Sequence, residues 1–100
     1  MGKFEELIKG DKPVLVDFFA TWCGPCKAMH PILEELKKDM GDKIHIITID
    51  VDGESNRALV MNHQIQSVPT LMIFKKGEMV WRQSGVMQSV QLKNVLEKYV

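Results

Sequence analysis

Two cysteines stand at positions 23 and 26 of a chain of 100 residues, in the run Trp22-Cys23-Gly24-Pro25-Cys26-Lys27. The first falls where an apolar run ends and a helical pattern begins. Free backbone N–H groups and the positive end of a helix dipole would stabilise its thiolate there, so Cys23 is the expected nucleophile. Cys26 follows one helical turn later, a spacing that lets the two sulfurs meet without unwinding the helix, and is the expected resolving thiol. An inert buried dithiol or half of a zinc site would place the same residues there. Zinc normally takes four ligands, however, and the chain has no second Cys-x-x-Cys, while His30 alone cannot complete the set. Covalent haem attachment requires histidine directly after Cys26, where Lys27 stands. Two cysteines are also too few for a disulfide scaffold.

A second candidate is Asp17, which interrupts the apolar run Val14 to Phe19. An ionised carboxylate is costly in such surroundings. Desolvation should raise its pKa toward the range useful for proton transfer, unless the strand sits at an edge and the side chain is solvated. His45 and His63 have no carboxylate or cysteine beside them in sequence and receive no role.

These residues must be held by the elements around them. Val14 to Phe19 reads as a strand buried on both faces. Met29, Ile32, Leu33 and Leu36 recur at helical intervals, which predicts an amphipathic helix from Cys23 to about Met40, kinked at Pro31. Ile44 to Asp50 reads as a second strand and Ser55 to Asn62 as a short helix. Thr70 to Lys75 and Glu78 to Gly85 read as two strands joined at Lys76-Gly77, and Val90 to Tyr99 as a closing helix. Phe4, Leu7 and Ile8 mark an opening helix that ends near Lys9. Strand, crossover helix and strand make a right-handed βαβ unit followed by an antiparallel hairpin. The fold class is α/β, with a mixed sheet of about four strands flanked by helices. The length, with no repeat or linker, implies a single domain over residues 1–100.

The balance of 13 basic and 13 acidic residues, with no stripe of either sign, excludes the electrostatic footprint of a nucleic-acid or membrane-surface binder. No apolar stretch approaches the roughly 20 residues that span a bilayer. The N-terminus lacks the apolar core of a secretory signal, which points to the cytoplasm. The methionines at 29, 61, 72 and 87 are scattered over several elements and are expected to fill core space. Trp81 is expected to be a sheet residue.

The run Val-Asp-Phe-Phe-Ala-Thr-Trp-Cys-Gly-Pro-Cys-Lys closely resembles the active-site segment of the thioredoxin family, and Val68-Pro69-Thr70 resembles its second signature. The likeness extends from about Val14 to the C-terminus. It implies a thiol-disulfide oxidoreductase that reduces protein disulfides through Cys23 and Cys26, with Asp17 assisting deprotonation of Cys26. It further implies a cis Pro69 facing the cysteines, Val68 pairing with extended substrate, and a docking surface of Trp22, Gly24, Pro25 and Gly85. No cofactor beyond the redox disulfide is implied. The implied partners are disulfide-containing proteins and an NADPH-dependent, flavin-containing thioredoxin reductase, with the chain acting as a monomer.

Three departures stand out. Thr48 aligns with the lysine that the family commonly places near the carboxylate, Phe19 stands where many members have tryptophan, and only three residues precede Phe4, too few for an N-terminal strand. Without that strand Ile44 to Asp50 would be an exposed edge, open to pairing with another chain. Two other functions compete. A disulfide oxidant or isomerase typically carries a histidine between its cysteines, against which Gly24-Pro25 argues. A noncatalytic binding module of the same fold would need neither cysteine, Asp17 nor Val68-Pro69.

Overall fold

The strand that carries Asp17 is the centre of the molecule. In the computed structural model, which describes residues 2–100, β1 (Val14–Phe19) lies between two neighbours. It pairs in parallel with β2 (His45–Asp50), Val14 opposite His45, and antiparallel with β3 (Thr70–Lys75), Val14 opposite Phe74. β4 (Glu78–Ser84) pairs antiparallel with β3, which completes the order β2-β1-β3-β4. This is the expected mixed, four-stranded sheet, and no strand precedes the first helix among the described residues.

Side chains of β1 alternate between two cores, as the period of a strand requires. Val14, Val16 and Phe18 join Ile8, Met72 and Phe74 on one face. Leu15 joins Met29, Leu36, Leu71 and Ile73 on the other. Full burial of each such side chain is worth roughly 1.5–3 kcal/mol, which makes both faces obligatory. The helix on the Leu15 face is α2 (Gly24–Met40), whose buried Cys26, Met29, Leu33, Leu36 and Met40 follow helical spacing. The helix runs through Pro31 unbroken, and it closes at Gly41, whose φ of +54° suits glycine. α4 (Ser89–Leu96) packs beside it through Leu92 and Leu96, and a Lys93–Asp39 ion pair of 3.0 Å ties the two helices.

The opposite face is covered by α1 (Lys3–Ile8) and α3 (Arg57–Asn62). Phe4 of α1 meets Phe74 edge-on, 5.3 Å between ring centroids. Several expected bounds move. Ile44 is outside β2 because it ends the preceding turn, its carbonyl accepting from Lys37 Nζ at 2.8 Å. The segment before α3 is a 3-10 turn, Glu54–Asn56, because the Asn56 amide turns back to the Asp50 carbonyl at 3.0 Å. β4 ends at Ser84, since Gly85 takes a φ of +95° that leaves strand geometry. α4 stops at Leu96, and Tyr99 is drawn off the helix axis by its hydroxyl, which donates to the Val80 carbonyl at 3.2 Å. Met29, Met72 and Met87 fill core space as expected, whereas Met61 is 68% exposed on α3. A position at helical spacing is not core when its helix is a single short layer at the surface.

Candidate active site

The site is built where β1 ends and α2 begins. Cys23 is the N-cap of α2: its backbone is extended while Cys26 N–H donates to its Sγ at 3.1 Å. A capping oxygen would ordinarily take that donor, and here sulfur does. Pro25 adds no unsatisfied N–H in the first turn, where its fixed φ suits the helix. Cys23 and Cys26 are joined in a disulfide with their Cα atoms 5.3 Å apart, and both are buried, at 5% and 1% exposure. Around them pack Ala20, Phe19, Val51 and Val68.

The loop before β3 closes over the first cysteine. Val68-Pro69 is a cis peptide, and the Val68 carbonyl oxygen lies 3.7 Å from Cys23 Sγ. Pro69 is fixed from the other side by Gly85 N–H, which donates to its carbonyl at 2.8 Å. Trp22 is 70% exposed, and its Nε1–H donates to Asp52 Oδ2 at 2.7 Å. Gly24 and Pro25 are exposed on the first turn of α2. Cys23, Cys26, Val68, Pro69 and Gly85 therefore form one contiguous cluster, with Trp22, Gly24 and Pro25 on its rim.

Asp17 is not at an edge. Its position on β1 shares the Leu15 face, the face covered by α2, and it is wholly buried with both carboxyl oxygens lacking a hydrogen-bond partner. Burial pushes its pKa up from 3.8 to about 6, and the nearby His30 pulls in the opposite direction by favouring the carboxylate. Thr48 of β2 stands directly opposite Asp17 in the ladder. His30 lies one turn beyond Cys26 on α2 and meets the Phe19 ring edge-on at 6.0 Å. Two contributors do not stand out in the sequence. Asp52 carried a weak signal, since Asp50-Val51-Asp52-Gly53 has turn composition at a strand end beside the cysteines' own strand. In sequence His30 reads only as an insufficient metal ligand. Among the described residues no group of three or more His, Cys, Asp or Glu converges as a metal site, and no helix is long and apolar enough to cross a membrane.

A dithiol at a helix N-terminus, a cis-proline loop against its first sulfur and a buried carboxylic acid on the same sheet face define a thiol-disulfide oxidoreductase. Comparison with known proteins narrows the class. The family model described as Thioredoxin matches residues 1–98. A thioredoxin-like protein of Synechocystis sp. is 47% identical over 98 residues, covering 97% of this chain and 91% of its own. The thioredoxin of Mycolicibacterium smegmatis is 46% identical over 80 residues, 80% of this chain and 71% of its own. Among solved structures, a mutant thioredoxin from Halobacterium salinarum superposes with a TM-score of 0.84 at 35% identity, covering 97% of this chain and 82% of that one. The chain belongs to the thioredoxin family, and its chemistry is dithiol-disulfide exchange.

Proposed function

We propose that the chain is a reductant of protein disulfides, carried by one observation above the others: Cys23 sulfur sits at the start of α2, accepting the Cys26 N–H, beside the open Val68 carbonyl. In the reduced protein that N–H and the helix dipole favour the Cys23 thiolate. The thiolate attacks one sulfur of a substrate disulfide. A mixed disulfide forms, the substrate S–S bond breaks, and the first substrate thiolate departs. Cys26 then loses its proton to the Asp17 carboxylate and attacks Cys23 Sγ. That step breaks the mixed disulfide, releases the second substrate thiolate and leaves Cys23–Cys26 oxidised. Two electrons pass from the dithiol to the substrate, and the proton on Asp17 returns to solvent. With a pKa of about 6, Asp17 is largely ionised at neutral pH and ready to accept it.

Trp22, Gly24 and Pro25 form the rim against which an extended substrate segment lies, pairing with the Val68 backbone, while Gly85 keeps that rim low. Each chain carries the whole site, so exchange needs one copy only. Electrons are resupplied by a flavin-containing reductase fed by NADPH, in the cytoplasm, and the chain itself uses no cofactor other than its disulfide. Cys26→Ser tests the reading: the variant should accumulate a mixed disulfide through Cys23 with a model protein disulfide, and Cys23→Ser should not. If both variants bind such proteins only noncovalently, the chain is a binding module. A reduction potential near the oxidising end of the roughly 150 mV between thioredoxins and the strongest oxidants would reassign it as an oxidant or isomerase.

A further inference from the structure

The two edges of the sheet are finished differently. β4 carries Glu78, Arg82 and Gln83, is irregular opposite Ile73 and Phe74, and turns Arg82 back onto the His63 and Gln64 carbonyls at 2.6 and 3.0 Å. Charge and irregularity of this kind keep an edge from pairing. β2 reads His45-Ile46-Ile47-Thr48-Ile49-Asp50, with no lysine, arginine or proline, with its isoleucines half-buried and Thr48 exposed.

The ladder shows which of its backbone groups are available. His45 N–H donates to the Pro13 carbonyl at 3.1 Å and Val51 N–H to that of Phe19 at 2.8 Å, so the odd-numbered residues turn toward β1. Ile46, Thr48 and Asp50 turn outward. The Asp50 carbonyl is already taken by Gly53 N–H and the Asn56 amide, each at 3.0 Å, and the Ile44 carbonyl by Lys37. What remains among the described residues is the N–H and C=O of Ile46 and of Thr48, and the Asp50 N–H.

We propose that this edge is a self-association surface, β2 pairing antiparallel with β2 of a second copy in a register centred on Thr48. Two identical antiparallel strands related by a two-fold axis must place one residue opposite itself, because alternation forbids an axis between positions. With Thr48 on the axis, its N–H and C=O bond their counterparts, and each Asp50 N–H reaches the other copy's Ile46 carbonyl. Four backbone hydrogen bonds cross the axis, and of the free groups only the Ile46 N–H, which faces the occupied Asp50 carbonyl, is left over. Ile47 of one copy then meets Ile49 of the other on the same face, and the Lys43-Ile44 end of each strand meets Asp52 of the other. Centring on Ile47 instead makes the same number of backbone bonds, leaving the Asp50 N–H idle, but sets Asp42 against Asp52, like against like, and this charge pairing favours the axis at Thr48.

Two measurements test this. Sedimentation of the wild-type chain from micromolar to millimolar concentration should show a weight-average mass rising from 11.4 kDa toward twice that value. In a Cys23→Ser/Cys26→Ser background, Thr48→Cys should form an intermolecular disulfide on mild oxidation, since the axial pair has Cα atoms about 5.5 Å apart. His45→Cys, equally exposed but about 20 Å from its counterpart in this register, should not. A wild-type mass that stays at the monomer value throughout overturns the proposal. So does cross-linking at His45→Cys as readily as at Thr48→Cys, or at neither.

Discussion

Replacing Asp17 by asparagine should make the oxidised protein more stable at neutral pH and leave it nearly unchanged in acid. The folded pKa of about 6 lies above the unfolded value of 3.8, so the folded state favours the protonated acid. The stability associated with that preference is complete below about pH 3.8 and is lost as pH rises through about 6. At about 1.4 kcal/mol per tenfold change in proton affinity, the difference amounts to about 3 kcal/mol, a large fraction of the roughly 5–15 kcal/mol that stabilises a domain. Asparagine is neutral throughout and escapes the loss. Urea titrations of the two oxidised proteins, from about pH 4 to about pH 8, isolate the effect because groups that do not interact with Asp17 cancel in the difference. The advantage of Asp17→Asn should grow by about 2.4 kcal/mol between pH 4 and pH 7 and then level off. In a His30→Ala background the midpoint of that growth should move to higher pH, since the histidine favours the carboxylate. Stability curves that run parallel across the whole range would refute the assignment of a buried, desolvated acid.

Two further perturbations probe other levels of the structure. Leu36→Ala, at a fully buried position between α2 and the sheet, should cost about 2–5 kcal/mol and lower the urea midpoint without changing the slope. Asp52→Ala removes the acceptor of the Trp22 indole N–H at an exposed site, so stability should change by about 1 kcal/mol or less. The rim it frees should raise KM for a protein disulfide while kcat is held, and the Trp22 emission should shift.

Much of the fold was legible because its signals are local. β1 is a short apolar run bounded by proline and turn residues, and α2 repeats leucine and methionine at helical spacing for several turns. Both survive any tertiary context. The ends of α3 and α4 were not legible, because the contacts that set them are distant: Asn56 answers Asp50, and Tyr99 answers Val80. The same division holds at the site. Cys23 and Cys26 announce themselves by spacing, and Asp17 by being charged within an apolar run. The Asp52 side chain that holds Trp22 lies 30 residues away in sequence, and the influence of His30 on Asp17 crosses from helix to sheet. Neither leaves a pattern in one dimension. Met61 shows the converse error, an apolar residue at a plausible core spacing that the shortness of α3 leaves in solvent.

The alternation of β1 has a further consequence for how this chain tolerates length changes. Whether the acid at position 17 faces α2 or the opposite layer depends on an odd or even count along the strand, and both neighbouring ladders lock that count. Inserting one residue between Val14 and Asp17 would turn the carboxyl toward Phe18 and Phe74 territory and bring Val16 beneath the helix, even if every other residue kept its chemistry. Two residues would restore the facing but displace the cysteines from the strand's end by roughly 7 Å. Loops here can drift in length over evolutionary time, but this strand can change only by substitution.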